Sequence, residues 1–282
     1  MNKNNLAYFI DLEKFPINNP ESFKFKKIVE EAREAVAKDG CYVLKSIINT
    51  DAIQHMQKEA ASIEELAHYT KNKVNIYFSK DDTSYPKDHP RRFFMERSNG
   101  FVSGDKFPKD SLIKELYYFE PLKNFVAQCL NEKKIYHYAD PIASLTMNVN
   151  KPGDTFSWHY DTNEFTTTML VQDCEEGGIF QYVPNIRNKN DECYDDVLKL
   201  LKGDNSRIKE IKLNEGDLQL FKGRYSLHRA TRAHGKTTRN LVVFTYTEKE
   251  NVIGSSYRTE ELYGKTLDVH KEKRVRSDAL ED

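Results

Sequence analysis

Residues 144–161 read SLTMNVNKPGDTFSWHYD, and this stretch decides the class of fold that the sequence predicts. In its first half the apolar side chains of Leu145, Met147 and Val149 alternate with polar ones. Because successive side chains of a strand point to opposite faces, the alternation predicts a strand with one buried face. The turn residues 151–154 (KPGD) end this strand, and a second strand-like run follows.

Short runs of the same kind continue towards the C-terminus. They lie at residues 165–172, 179–183, 208–213, 217–221 and 240–247. Turn residues such as Gly177, Gly178 and Gly216 separate them. Many short strands at this spacing favour a sandwich or a barrel. Residues 185–206 interrupt the pattern and look like an insertion with a short helix at residues 194–201.

The first 140 residues differ from this β-rich part and are expected to be mainly helical. Apolar residues recur at helical spacing between Phe25 and Val36, and Gly40 supplies a stop signal. A short strand is expected directly afterwards, at residues 41–45. Two further helices are predicted at residues 51–68 and 111–130.

These patterns predict one α+β domain over residues 1–282. Its helical N-terminal part, residues 1–140, is expected to pack against one sheet of a β-core at residues 141–250. Residues 265–282 are charge-dense and are expected to form a peripheral tail.

Composition excludes several classes of function. The chain carries 43 Lys and Arg against 44 Asp and Glu, which argues against a general nucleic-acid binder. No apolar run approaches the ~18 residues of a membrane span, and the N-terminus is too polar for a signal peptide. The four cysteines form no CxxC pair, so we interpret them as reduced thiols of a cytoplasmic protein.

A His-x-acid pair marks the candidate metal site. On a strand such a pair points both side chains to one face, and two histidines with one carboxylate hold iron(II) with open positions left. Two pairs are present, His159–Asp161 and His270–Glu272, but no histidine follows the second pair to complete a triad. His228 follows the run at 217–221, and we predict it as the third ligand of the first pair.

Two other residues near His228 have competing interpretations. His234 lies in the turn AHGK and is interpreted as a solvated loop residue. Arg239 lies eleven residues after His228, at the start of a strand, where its guanidinium is placed to pair with the carboxylate of a keto acid. The alternative is a surface arginine beside Thr237 and Thr238.

The motifs KPGD, WHYD, EEGG, GDLQLF and RYSLHR, followed by Arg239, resemble in order and spacing the iron(II)/2-oxoglutarate-dependent oxygenases. Residues 39–45 (DGCYVLK) are similar to the helix-to-strand entry of that superfamily. The resemblance covers roughly residues 30–250 and is strongest to the branch that includes free amino-acid halogenases, their hydroxylase relatives and algal kainoid synthases.

This resemblance implies a double-stranded β-helix, a jelly-roll of cupin-like form, with the metal at its mouth. Carried over residue by residue, it implies that His159, Asp161 and His228 bind iron(II). The implied reaction uses dioxygen and converts 2-oxoglutarate to succinate and carbon dioxide. It would oxidise a C–H bond of a small amino-acid-like metabolite, as in the biosynthesis of amino-acid-derived natural products such as the kainoids.

The resemblance also implies a cosubstrate site. Arg239 would bind the distal carboxylate of 2-oxoglutarate, and Thr168 or its neighbour Thr167 would add a hydrogen bond. Asn148, on the preceding strand, is a further candidate contact.

Asp161 bears on the outcome of the implied reaction. Halogenases of this type carry Gly or Ala at that place, which opens a position for chloride, so a halogenase is not expected here. Hydroxylation, desaturation and oxidative ring closure all stay open.

Residues 90–98 (PRRFFMERS) place three arginines among aromatic residues. One interpretation is a lid whose Arg92 or Arg97 binds a substrate carboxylate, and the other is a solvated loop. Two alternatives to a small-molecule oxygenase also stay open: an oxygenase of a protein side chain or other macromolecule, and a non-catalytic barrel that retains the metal motif. No basic groove with interleaved aromatic residues lies outside this segment, which disfavours nucleic acid as a partner.

Overall fold

The computed structural model describes residues 6–70, 72–271 and 280. Within these residues the chain forms seven α-helices: α1 (Leu6–Phe9), α2 (Phe23–Asp39), α3 (Thr50–Ile63), α4 (Leu112–Tyr117), α5 (Glu120–Cys129), α6 (Tyr194–Leu201) and α7 (Ser256–Tyr263). Single 3-10 turns lie at Glu64–Leu66, Pro90–Arg92, Gly104–Lys106 and Asp268–Lys271. None of the helices in this described part is long and apolar enough to cross a membrane.

The strands of the same residues are β1 (Cys41–Leu44), β2 (His68–Tyr69), β3 (Asn72–Val74), β4 (Met95–Arg97), β5 (Gly100–Val102), β6 (Tyr136–His137), β7 (Leu145–Asn150), β8 (Phe156–His159), β9 (Thr166–Gln172), β10 (Glu176–Gly177), β11 (Phe180–Val183), β12 (Lys209–Ile211), β13 (Leu218–Phe221), β14 (Leu227–Ala230), β15 (Ala233–His234), β16 (Arg239–Phe244) and β17 (Tyr246–Thr247).

Two antiparallel sheets form the β-core. The major sheet has the order β1-β13-β9-β16-β7-β5-β2, and the minor sheet has the order β12-β11-β14-β8. Side chains from both sheets line one cavity, so the sheets face each other across it. This is the expected jelly-roll, in which neighbouring strands of a sheet are distant in sequence.

Alternate side chains along the strands face the hydrophobic core or the cavity. Met147 and Val149 of β7 pack under helices α2, α3 and α5 in the main hydrophobic core, whereas Thr146 and Asn148 line the cavity. The minor sheet follows the same rule, because Trp158 packs outwards with helix α6 while its neighbour His159 faces the cavity.

The N-terminal part carries the predicted helices, and it also contributes short strands to the sheets. Strands β1, β2 and β5 come from it and join the major sheet. The helix predicted to reach residue 68 ends at Ile63, and His68 pairs with Phe101 instead. Pairing with a distant strand therefore overrides the helical pattern at its C-terminal end. The division into a single domain stays a prediction.

The described start of the predicted C-terminal tail packs against the core, and the tail as a whole stays a prediction. His270 is buried, and its Nε2 lies 2.9 Å from Asp140 Oδ2, which fixes residues 268–271 to the core. The hydroxyl of Ser256, the first residue of helix α7, donates to the carbonyl of His270, and the sequence patterns did not predict this helix. Residues 272–279, 281 and 282 of the predicted tail lie outside the described residues.

Candidate active site

Strands β8 and β14 bring the two predicted histidine ligands together. They are antiparallel neighbours in the minor sheet, and His228 lies directly opposite His159 in their register. The two imidazole centroids are 4.1 Å apart. Asp161 follows β8, where its backbone N–H donates to the carbonyl of Gly223. One ligand atom from each of these side chains lies within 4.8 Å of the others.

Hydrogen bonds set the orientation of both imidazoles. Nδ1 of His159 donates to the carbonyl of Ser157 at 2.8 Å, and Nδ1 of His228 donates to the carbonyl of Ser226 at 3.0 Å. Because a carbonyl oxygen only accepts, each Nδ1 carries the proton and each Nε2 presents its lone pair. Such partners are typical of metal-binding histidines.

The two carboxylate oxygens of Asp161 have different surroundings: one is hydrogen-bonded within the protein, and the other faces the two histidines. Its Oδ2 accepts a hydrogen bond of 2.6 Å from the hydroxyl of Thr166. Its Oδ1 lies 3.5 Å from Nε2 of His228 and 4.0 Å from Nε2 of His159. A Cβ atom at Gly223 would lie 1.8 Å from Oδ2, so only glycine leaves room for the carboxylate in this position.

The protonation states of these donors fit a divalent cation. Burial, with a smaller effect from His228, lowers the pKa of His159 well below its ordinary value and keeps the imidazole neutral. Burial alone would raise the pKa of Asp161, but the interactions of its carboxylate with His228, His159 and Thr166 hold the pKa below the ordinary range. A neutral imidazole and an ionised carboxylate are the forms that bind metal, and a set of two histidines and one carboxylate fits an iron(II) ion.

Arg239 lies in the same cavity, on the first residue of β16. Its side chain is buried, its Nε has no hydrogen-bond partner, and the nearest carboxylate oxygen belongs to Asp173 at 3.5 Å. Burial lowers the pKa of this guanidinium, and Asp173 opposes the shift. Gly178, at φ +60°, leaves room for it, because a Cβ there would lie 2.5 Å from Cδ of Arg239. A buried donor without an acceptor fits a carboxylate ligand.

The structure distinguishes the two threonines predicted near this arginine. Thr168 lines the cavity and its hydroxyl donates to Oε1 of Gln219 at 3.0 Å. Thr167 is not among the described residues that line the cavity. Asn148 lines the cavity too, where its Oδ1 accepts from Asn99. His234 is exposed on β15 and lies outside the metal-ligand cluster.

Arg92 and Arg97 are engaged away from the cavity. The Arg92 guanidinium donates to both carboxylate oxygens of Asp81, at 2.7 and 3.0 Å. Arg97 is fully buried, with a contact of 3.5 Å to Glu261. Neither arginine is among the described residues that line the cavity. The segment forms a 3-10 turn and strand β4 rather than a lid, so a direct substrate contact by either arginine stays a prediction that these positions do not favour.

Helix α7 adds a cavity residue that no sequence motif marks. Arg258 lines the cavity, and its Nη2 donates to the carbonyl of Tyr160 at 2.7 Å. The helix itself has a signature in the sequence, because Ser255 caps its N-terminus and Gly264 ends it in the left-handed conformation. That signature locates the helix but does not identify the role of Arg258.

The chain was compared with protein families and with curated proteins. The family described as halogenase D matches residues 24–263 of the chain. A comparison with curated proteins gives no match.

Solved structures share the fold at low sequence identity. The epimerase SnoN in complex with Fe3+, alpha ketoglutarate and nogalamycin RO has a TM-score of 0.53 at 12% identity, over 79% of this chain and 84% of SnoN. HygX from Streptomyces hygroscopicus, with nickel, 2-oxoglutarate and hygromycin B bound, gives 0.52 at 11%, over 79% and 88%. A prolyl hydroxylase from Trichoplax adhaerens, in complex with a hypoxia inducible factor peptide fragment, gives 0.52 at 11%, over 81% and 94%.

Proposed function

The chain belongs to the halogenase D family and is an iron(II)/2-oxoglutarate-dependent dioxygenase, and from that premise we propose that it oxidises an unactivated C–H bond of a small, amino-acid-like metabolite. The outcome that we propose is hydroxylation or oxidative cyclisation, in the biosynthesis of an amino-acid-derived natural product. Its location in the cytoplasm stays a prediction.

One observation carries this proposal: three candidate metal donors and a buried arginine share one cavity. His159, Asp161 and His228 present ligand atoms within 4.8 Å of one another, and Arg239 lies in the same lining with an Nε that has no hydrogen-bond partner. A facial set of two histidines and one carboxylate leaves coordination positions open. The buried guanidinium supplies the partner that a dicarboxylate cosubstrate needs.

Iron(II) bound there supplies the activation of dioxygen that couples conversion of 2-oxoglutarate to succinate with oxidation of the substrate. The chain's own residues do the positioning. Ser157 and Ser226 hold the imidazoles through their carbonyls, and Thr166 holds one oxygen of Asp161. Arg239 binds the distal carboxylate of 2-oxoglutarate. The second contact that we propose is the cavity-facing hydroxyl of Thr168, which would exchange its hydrogen bond to Gln219 for one to that carboxylate.

Asp161 favours oxygenation over halogenation, although the family takes its name from a halogenase. A carboxylate in this position contributes a ligand and a negative charge. Both oppose the binding of chloride at the place that it would take if residue 161 were Gly or Ala. The side chain is held by Thr166 and fits against Gly223, so it is fixed in place for this role.

The residues that helix α7 adds to the cavity lining favour a small substrate over a macromolecule. Helix α7 contributes Arg258, Thr259, Leu262 and Tyr263 to the lining, and it is tied to the core through Glu261. The cavity measures about 170 Å³, which suits a group of amino-acid size.

The test is a substrate screen with a matched pair of variants. The purified protein is incubated with iron(II), 2-oxoglutarate and a library of free amino acids and N-alkylated glutamates, and succinate and oxidised products are measured by mass spectrometry. We expect product from wild type and from His234→Ala, whose histidine is exposed, and none from His159→Ala. Equal turnover by His159→Ala and wild type would contradict the proposal.

A further inference from the structure

A chain of buried hydrogen bonds leads from Arg97 to the cavity. Nε of Arg97 donates to Oδ1 of Asn99 at 3.2 Å, and Nδ2 of Asn99 donates to Oδ1 of Asn148 at 3.0 Å. Arg97 and Asn99 are fully buried and are not among the described residues that line the cavity, whereas Asn148 lines it. The chain therefore connects a side chain of the cavity wall to a charge that is buried behind the wall.

The guanidinium at the start of the chain fixes the direction of both hydrogen bonds. A guanidinium only donates, so Asn99 must face Arg97 with its carbonyl oxygen and Asn148 with its amide nitrogen. That nitrogen is again a donor, so Asn148 must face it with Oδ1. Turning either amide by 180° would place two donors against each other. Asn148 is therefore held with its Nδ2 directed away from Asn99.

The first two members of the chain are themselves held in place. The backbone N–H of Asn99 donates to the carbonyl of Thr155 at 3.4 Å. The guanidinium of Arg97 lies 5.5 Å from the ring centroid of Phe101, a contact of the cation–π type. Burial lowers the pKa of Arg97 to about 10, so the side chain stays charged at neutral pH. The orientation of the Asn148 amide is therefore set before a ligand binds.

The neighbours of Asn148 across both adjacent strands are apolar. Asn148 is paired with Phe101 of β5 on one side and with Leu241 of β16 on the other, and both residues line the cavity. No residue in the described part of the chain accepts a hydrogen bond from Nδ2 of Asn148. An N–H group in such a wall favours a ligand that brings an acceptor oxygen.

Arg239 lies close enough to contact the same ligand. It is two residues before Leu241 on β16, so the two side chains lie on the same face of the major sheet. Asn148 is thus the diagonal neighbour of Arg239, and such neighbours in an antiparallel pair are about 7–8 Å apart. A dicarboxylate that pairs with Arg239 can therefore place another of its oxygens at the Asn148 amide.

We propose that Asn99 is a positioning residue for the cosubstrate, because it holds Asn148 with its amide N–H group facing the cavity, where that group donates to 2-oxoglutarate. This inference rests on the proposed function and deepens it by assigning a role to residues outside the cavity lining. Arg97 acts on the site through the two amides, since its charge determines which end of each amide faces the next.

The test reverses the direction of the chain from outside the cavity. In Asn99→Asp both carboxylate oxygens are acceptors, so one keeps the bond from Arg97 and the other can only accept from Asn148. Asn148 then turns its Nδ2 towards residue 99 and its Oδ1 towards the cavity, where the oxygen repels a carboxylate. We expect the dissociation constant for 2-oxoglutarate to rise about 30-fold in Asn99→Asp and about 10-fold in Asn148→Ala, because loss of a hydrogen bond to a charged acceptor has an effect of that size. It is measured without oxygen on iron(II)-loaded protein, through the metal-to-ligand absorption band.

Asn99→Asp also adds a negative charge, and a double-variant cycle separates this effect from the turned amide. If Asn99 acts through Asn148, adding Asn99→Asp to Asn148→Ala raises the dissociation constant by less than about 3-fold. A charge effect alone would raise it equally in both backgrounds. Asn190→Asp is the matched control, because it makes the same chemical change at an exposed asparagine. Iron(II) affinity without 2-oxoglutarate should match wild type in every variant.

Unchanged 2-oxoglutarate binding by either single variant, or an equal effect of Asn99→Asp in both backgrounds, would overturn the inference. An equal loss of iron(II) affinity and of 2-oxoglutarate affinity would also overturn it, because it indicates a disturbed site rather than a turned amide. Failure of the proposed function shows separately, as absence of 2-oxoglutarate binding and of succinate formation by wild type.

Discussion

Asp161 decides at the scale of one residue which chemistry the site favours. Truncation to Gly removes a ligand and a negative charge, so we expect weaker iron binding and loss of the native product. The vacancy would admit an anion, but we expect little or no chlorinated product even at high chloride, because the position of the substrate also decides which group is transferred. Single-turnover mixtures of wild type and Asp161→Gly, with and without chloride, are compared by mass spectrometry. Native product at wild-type yield from the variant would show that Asp161 is not a ligand.

Gly223 lies against Asp161 and is not itself a candidate ligand. A Cβ there would approach Oδ2 to 1.8 Å, so Gly223→Ala must displace the carboxylate. We expect iron affinity to fall about 10- to 100-fold, the range for residues that support metal ligands. The measurement is an anaerobic iron titration, with Lys222→Ala as the neighbouring control. Unchanged affinity in Gly223→Ala would place the Asp161 carboxylate elsewhere.

Arg239 gives a prediction about the cosubstrate rather than the metal. Its guanidinium is buried, so Arg239→Ala leaves a bound carboxylate without its charged partner, at a cost of about 2–5 kcal/mol. We expect the 2-oxoglutarate concentration for half-maximal succinate formation to rise about 30-fold or more. Lys236→Ala, in the exposed turn before β16, serves as control. An unchanged requirement in Arg239→Ala would exclude the proposed contact.

At the scale of elements, helix α7 depends on an ion pair that is largely buried. Arg97 is fully buried, and the side chain of Glu261 is 18% exposed, so removing the arginine leaves a poorly solvated carboxylate. We expect Arg97→Ala to lower the free energy of unfolding by about 3 kcal/mol, measured in urea. Replacing the exposed Arg207 by Ala should lower the free energy of unfolding by less than about 1 kcal/mol.

This prediction separates two roles for Arg97. If Arg97 binds substrate directly, as one interpretation of residues 90–98 holds, Arg97→Ala should raise the substrate KM and leave stability unchanged. If it fixes helix α7, stability falls and the KM rises with it. A stable variant with weak substrate binding would therefore restore the lid hypothesis.

The elements that carry local patterns were predictable. The alternation at Leu145, Met147 and Val149 depends only on which face of β7 is buried, and the structure has that strand. Helix α6 was predicted at its observed bounds, Tyr194–Leu201. The end of α3 was not predictable, because His68 pairs with Phe101, and no local pattern encodes that pairing.

The candidate site, too, was predictable only in part from the sequence. His159 and Asp161 are two positions apart, so their spacing alone suggested a shared site. His228 lies opposite His159 because β14 pairs with β8, and order along the chain indicated this only roughly. Arg258 reaches the cavity through the packing of α7, so nothing in its own neighbourhood in sequence identified it.

At the scale of the whole molecule, the major sheet packs against the main hydrophobic core on one face and lines the candidate site on the other. The main hydrophobic core lies between the major sheet and helices α2, α3 and α5, whereas the candidate site lies between the two sheets. Replacing a donor in the cavity therefore leaves that core intact. Loss of function in such variants can be assigned to the site, provided that their unfolding matches wild type.

The most direct test of the proposed metal site is an anaerobic titration of metal-free protein with iron(II) in the presence of 2-oxoglutarate. The readout is the metal-to-ligand absorption band. We expect one saturable site per chain in wild type, the same site in His234→Ala, and no band in His159→Ala. A band of wild-type intensity and affinity in His159→Ala would contradict it, because iron would then bind without the strand pair that defines the site.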